Sequence, residues 1–218
     1  MSGLWPWLTL FGLGAFHGIN PGMGWLFAVA LGLQEKSRRK VLAALPPIAV
    51  GHAFSVGIVA ALVWVVQARL PERPLRYGAA TLLFGFGLYR LLRARHPTWV
   101  GMRVGFRDLV LWSFLMASAH GAGLMLVPVL LGWSRGHGGH HGAHTGGLTP
   151  QQLAAALDPL RWLAAVGVHT LGHLLVAAFI AVLVYEKLGL ALLQRAWFNL
   201  DLLWVIALML SGVLILVL

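Results

Sequence analysis

Six apolar runs, each about long enough to cross a bilayer, take up most of this chain and constrain its fold more than any motif does. They fall at about 4–33, 41–66, 75–92, 108–132, 161–185 and 197–218, and a membrane helix needs about 20 apolar residues. Of the 218 residues, 59% are apolar and 10% charged, whereas a soluble domain carries roughly 25% charge. The composition predicts an all-α integral membrane protein, with the lipid bilayer as its main partner and no separate soluble domain. Met1-Ser2-Gly3-Leu4-Trp5-Pro6-Trp7 lacks the basic segment of a cleavable signal, so the first run is expected to stay in the mature protein.

The formal net charge of +10 follows from where the basic residues lie. The 1–2, 3–4 and 5–6 loops hold Lys36, Arg38, Arg39, Lys40, Arg90, Arg93, Arg95, Arg103, Arg107, Lys187 and Arg195. The opposite loops hold only Arg69, Arg73, Arg76, Arg135 and Arg161. Basic residues collect on the cytoplasmic side of membrane proteins. The predicted location is therefore the inner (cytoplasmic) membrane of a bacterial-type cell, multi-pass, with both termini outside. A nucleic-acid partner is not expected, because no exposed domain carries a basic patch. With no cysteine, disulfides, thiolate ligands and dithiol chemistry are excluded.

The six runs divide into two threes. Ala15-Phe16-His17-Gly18 in the first run corresponds to Ser118-Ala119-His120-Gly121 in the fourth. A shift of 117 residues brings His52 onto His169 and Val59-Ala60-Ala61 onto Val176-Ala177-Ala178; a shift of 125 brings Gly87 onto Gly212. Three crossings end on the far side of the membrane, so such halves are inverted with respect to each other, a common transporter plan. The expected architecture is one membrane domain over 1–218. Repeat 1 covers about 1–95, a histidine-rich loop 133–150, and repeat 2 about 107–132 plus 158–218.

The first helix of each half should be interrupted. Asn20-Pro21-Gly22 is a breaker triplet, since proline removes a backbone donor and glycine tolerates the bend. His120-Gly121-Ala122-Gly123-Leu124-Met125, followed by Pro128, is a looser counterpart. Unwound backbone at membrane depth persists only where protein or a polar cavity meets its freed groups. The plainer alternative is that these small residues only permit close helix packing.

Five of the ten histidines lie inside apolar runs: His17, His52, His120, His169 and His173. An ionisable residue in hydrocarbon is costly and marks a functional site by default. His169 and His173 are spaced i, i+4, so both rings leave one helical face and can reach a single divalent ion. Asn20 and Met23 are hard and soft partners for His17, although a buried methionine also simply fills gaps. Each histidine taken alone also fits as hydrogen-bonded packing. If transport is coupled to protons, these imidazoles are the natural carriers. The loop histidines His137, His140, His141 and His144, among glycines, form an accessory metal-chelating tract or a plain flexible linker.

The stretches His17-Gly18-Ile19-Asn20-Pro21-Gly22-Met23 and His52-Ala53-Phe54-Ser55-Val56, with the histidine-rich loop, resemble the nickel/cobalt exporter branch of the lysine-exporter-like superfamily. The resemblance implies a six-helix exporter fold with a metal site on those histidines. Two positions depart from the pattern. Asn20 stands where an acidic residue is usual and Met23 where a second histidine is usual, which tilts selectivity toward softer ions.

The leading expectation is an exporter, not an enzyme, that moves a transition-metal cation through a midplane site. His17, Asn20, Met23 and His52 form one half of that site, and His120, His169 and His173 the other. No tightly bound cofactor is expected. The alternatives are a haem or redox membrane protein with facing histidines, a diiron enzyme, for which the carboxylates are lacking, and an exporter of a non-metal small solute. Gly78, Gly85 and Gly87 on the third run offer a small-residue face for a homodimer.

Overall fold

The computed structural model of the chain describes residues 3–67, 69–92, 105–133, 158–188 and 200–217. The loop histidines 137–144 lie outside them. Among the described residues the secondary structure is helical and no strand occurs. The helices are α1 (Trp5–Ile19), α2 (Trp25–Gln34), α3 (Arg38–Gln67), α4 (Glu72–Leu92), α5 (Phe106–Ala119), α6 (Val127–Trp133), α7 (Pro159–Leu183) and α8 (Leu200–Val217). A π-turn, Val184–Leu188, continues α7.

Residue chemistry sets the ends. Pro6 occupies the first turn of α1, where its missing N–H costs no helical bond. The Asp158 carboxylate accepts from the Leu160 N–H and caps α7 at 3.0 Å, with Pro159 as its first residue. Pro46 and Pro47 lie inside α3 and cannot donate to the carbonyls of Leu42 and Ala43. The Ser113 hydroxyl donates to the Ile48 carbonyl nearby, at 2.7 Å.

The first and fourth apolar runs are each interrupted. Between α1 and α2, Asn20 turns extended and a 3-10 turn, Pro21–Met23, runs to Gly24 at φ +119°. Between α5 and α6, Gly121 at φ +70° precedes a 3-10 turn, Leu124–Leu126. Both glycines take a left-handed backbone that other residues rarely adopt. Two helices, Arg38–Gln67 and Pro159–Lys187, are long and apolar enough to cross a membrane. A third crossing results if Phe106–Ala119 and Leu124–Gly132, bent by 52°, count as one.

Helix α1 packs on α7, α5 on α3, α4 on α8, and α3 crosses α7. Glycines bring the backbones together. A Cβ on Gly14 would run into the His169 carbonyl, one on Gly172 into the Phe11 carbonyl, and one on Gly51 into the Val110 carbonyl. On α4, Gly87 is buried and faces Met209 of α8. It is therefore spent inside the bundle, and only Gly78 and Gly85 of the expected dimer face remain exposed. The Arg76 guanidinium ties α4 to the end of α8 by donating to the Ile215 and Leu216 carbonyls, both at 3.0 Å.

Polarity is arranged inside out. Val50, Phe54, Ile58 and Leu62 form an exposed apolar stripe along α3, and Leu163, Leu171, Leu175 and Phe179 another along α7. The opposite faces of these helices bury histidines. A water-exposed surface would reverse that order.

Candidate functional site

Four histidines meet where α1, α3 and α7 cross. His17 comes from the last turn of α1, His52 from the middle of α3, and His169 and His173 from successive turns of α7. All four are fully buried. The ring centroid of His17 lies 4.9 Å from that of His169 and 5.6 Å from that of His52. The His52 ring lies parallel to both α7 histidines, 5.4 Å from His169 at an interplanar angle of 10° and 4.0 Å from His173 at 3°. The i, i+4 pair on α7 thus does not act as a two-ring unit; each of its rings packs against His52.

Hydrogen bonds fix how some of these rings are turned. Nδ1 of His17 bonds the Leu13 carbonyl at 2.6 Å, and Nδ1 of His169 bonds the Leu10 carbonyl of α1 at 3.2 Å. A carbonyl only accepts, so each Nδ1 carries the proton and each Nε2 keeps its lone pair. Histidines that bind metals are commonly oriented in this way. Nε2 of His169 and both nitrogens of His52 and His173 are buried without a hydrogen-bond partner among the described residues. The main chain of Met23 lies beside the His173 ring. Buried polar atoms are nearly always satisfied, and those that are not call for a functional or structural account.

His17 and His52, from one expected half of the site, join His169 and His173, from the other, in one cluster. His120 is also buried and lies against the Asn20–Gly22 turn. Its Nδ1 bonds the Met116 carbonyl at 2.8 Å, and its Cε1 lies 3.7 Å from where a Cβ on Gly22 would be. The Asn20 side chain accepts from the Gly22 N–H at 2.9 Å, which caps the 3-10 turn, while its Nδ2 is buried without a hydrogen-bond partner among the described residues. Met23 is buried within the apolar core.

Two serines went unsingled in the sequence. Ser55 and Ser118 hydrogen-bond across the α3–α5 contact at 2.9 Å. The signal was present, because Ser118 opens the repeated Ser-Ala-His-Gly and Ser55 closes the turn after His52. What the sequence withheld was that the two face each other.

The cluster lies between two apolar plugs. On the side of the α1 start are Leu10, Val56, Ala60, Trp162 and Ala165. On the other side are Trp25, Val29, Leu45, Ile48, Ala177 and Ala181. Along α3 and along α7 the histidines fall between the two sets, so apolar side chains bound the site at both ends. An apolar groove of about 600 Å³ between α3 and α7, lined by Ala53, Gly57, Trp64, Trp162 and Val166, reaches Thr170 beside His169.

As the rings stand, no three His, Asp or Glu side chains among the described residues converge as the ligands of one ion. The rings of His52 and His173 lie in separate parallel planes, so their in-plane lone pairs do not meet on one ion without a rotation, and the same holds for His52 and His169. Haem fits less well. Non-bonded carbon layers are already ~3.5–4.0 Å apart, and rings with centroids at 4.0–5.6 Å leave no room for a porphyrin between any pair. Comparison with protein-family models, curated proteins and solved structures finds no match to this chain.

Proposed function

We propose that this chain is a multi-pass transporter of the cytoplasmic membrane that exports a transition-metal cation bound among His17, His52, His169 and His173. One observation carries the reading: four buried imidazoles from three helices meet beside a broken helix, the nitrogens of His52 and His173 and Nε2 of His169 have no hydrogen-bond partner among the described residues, and apolar plugs bound the cluster on both sides. A structural core gains nothing from such a cluster, because an unsatisfied buried polar group costs about 1–3 kcal/mol. An alternating-access carrier requires it, since its cargo must be held out of contact with both aqueous phases.

The pairing of helices supports two inverted halves of three crossings each. The α1–α7 contact corresponds to the α5–α3 contact when the halves are exchanged, and α3–α7 and α4–α8 correspond to themselves. His17 and His120, equivalent in the repeat, make the same bond to the carbonyl four residues back. His52 and His169, also equivalent, face each other across the crossing of α3 and α7. Gly87 and Gly212 both lie in the α4–α8 contact. Six crossings with both termini outside accommodate all of these pairings.

Transport by this plan needs the plugs to open in turn, with the breaks after His17 and His120 as hinges. Discontinuous helices at the repeat interface are where such carriers place their substrate sites. The resemblance to nickel/cobalt exporters agrees with the location of the site. The reading is tested with the purified chain in proteoliposomes loaded with a metal-sensitive dye. Wild type should admit one or more transition-metal ions in a saturable manner, and His169→Gln should lower the rate at least tenfold. A wild-type rate equal to that of empty liposomes for every metal tried would overturn metal transport and leave a non-metal solute as the cargo.

A further inference from the structure

Among the described side chains the site has no counter-charge. Of the six acidic residues, Glu35, Asp108, Asp158 and Glu186 are exposed, and Glu72 and Asp201 belong to the first turns of α4 and α8. The buried groups around the crossing are imidazoles, the Asn20 amide and the Met23 thioether, all neutral donors. Moving an ion from water to a low-dielectric interior costs free energy that grows as the square of its charge, about fourfold more for a divalent than for a monovalent ion of equal size. Neutral donors replace part of the lost hydration and contribute no opposite charge. Many divalent sites offset the remainder with carboxylates or thiolates, and an all-histidine site does so with a bound water or hydroxide; no described carboxylate is buried at the crossing, and apolar side chains bound it at both ends.

Coordination number points the same way. Divalent ions of this class take four or more ligands, so three imidazoles leave such an ion in need of water, which the apolar side chains at both ends of the cluster keep out. A closed-shell monovalent ion is content with two or three. His17 and His169, with centroids 4.9 Å apart, each keep the Nδ1 proton on a carbonyl and the lone pair on Nε2. Three rings around one ion at a metal–nitrogen distance of about 2 Å have centroids roughly 5 Å apart. The His17–His52–His169 triangle has sides of 4.9, 5.4 and 5.6 Å, so its spacing matches that arrangement, while the ring orientations, with His52 at 10° to His169, must change on binding. Met23, a soft donor, is buried at the break.

We infer that the cargo is a soft monovalent cation of closed d shell, Cu(I) or its redox-inert analogue Ag(I), held by two or three of the imidazoles of His17, His52 and His169. The inference rests on the reading of the cluster as a cation site and goes beyond it in fixing the charge of the ion.

The test uses the full chain in detergent, with His137, His140, His141 and His144 replaced by glutamine to silence the loop. Ag(I), Zn(II) and Ni(II) are titrated separately in chloride-free buffer by calorimetry, and Cu(I) anaerobically against a chromogenic chelator. The expected result is one Ag(I) or Cu(I) per chain, bound at least a hundredfold more tightly than Zn(II) or Ni(II). Affinity should fall at least tenfold in His169→Leu and in His52→Leu, and less than threefold in Gly57→Val, where a Cβ meets nothing within 4 Å. Should His169→Leu fail to fold, His169→Gln carries the same expectation. Zn(II) or Ni(II) bound as tightly as Ag(I), and lost in the same variants, would overturn the monovalent cargo and leave the cation transporter standing. Ag(I) binding unchanged in both the His52 and His169 variants would overturn the ligand assignment. No binding of any ion would overturn the cation site itself, and this inference with it.

Discussion

His52 concentrates the argument at the scale of a single residue. It is fully buried, stacks on His173, approaches His17 and His169, and neither of its nitrogens has a hydrogen-bond partner among the described residues. Leaving a buried polar group unsatisfied costs about 1–3 kcal/mol, whereas an apolar group of similar shape avoids that cost. His52→Leu should therefore leave the thermal midpoint in detergent unchanged or higher while abolishing ion binding. A structural histidine would behave in the opposite way, with a lower midpoint and no change in binding. Asn20 shows what local sequence can reveal. Its place before Pro-Gly announced the break, and its side chain caps the 3-10 turn, but nothing local showed that its amide nitrogen would be buried without a partner.

At the scale of elements, the contact between α1 and α7 holds the site together, since it carries three of the four clustered histidines. Gly14 and Gly18 bring α1 close to the backbone of α7, and Gly172 does the same in return. A side chain at residue 14 would collide with the carbonyl of His169, which no rotamer change relieves. Gly14→Val should cost about 1–3 kcal/mol through overpacking, read as a lower unfolding midpoint, and should weaken ion binding by displacing His169. Gly57→Val is the control, because a Cβ there meets nothing within 4 Å. The helical class, the interrupted first and fourth runs and the burial of the five membrane histidines were legible in periodicity and breakers. The partner of each histidine was not. The spacing of His169 and His173 fixes a shared helical face, but only the crossing of α3 determines that both rings pack on His52. His120 has the same local signature as His17, but that it packs against the Asn20–Gly22 turn was not legible, because the repeat gives equivalence between halves and not contacts.

For the molecule as a whole, the absence of cysteine makes topology directly measurable by single-cysteine labelling. On the proposed topology Lys36 faces the cytoplasm and Leu70 the outside. Lys36→Cys should react with a membrane-impermeant maleimide only in inside-out vesicles, and Leu70→Cys only in right-side-out vesicles or intact cells. Labelling of both from the same side would break the crossing at α3. The ion pair between Arg38 and Glu186, 3.1 Å and largely exposed, joins the start of α3 to the π-turn that follows α7. Exposed pairs contribute at most about 1 kcal/mol, weak enough for those ends to separate under the proposed alternating access.

The most direct test of the account is X-ray absorption at the edge of the metal bound to the loop-substituted chain, because it counts imidazoles. The account predicts the multiple-scattering signature of two or three imidazoles, with fewer in His169→Leu. A first shell of oxygen alone, or the same imidazole count in His169→Leu, would contradict it.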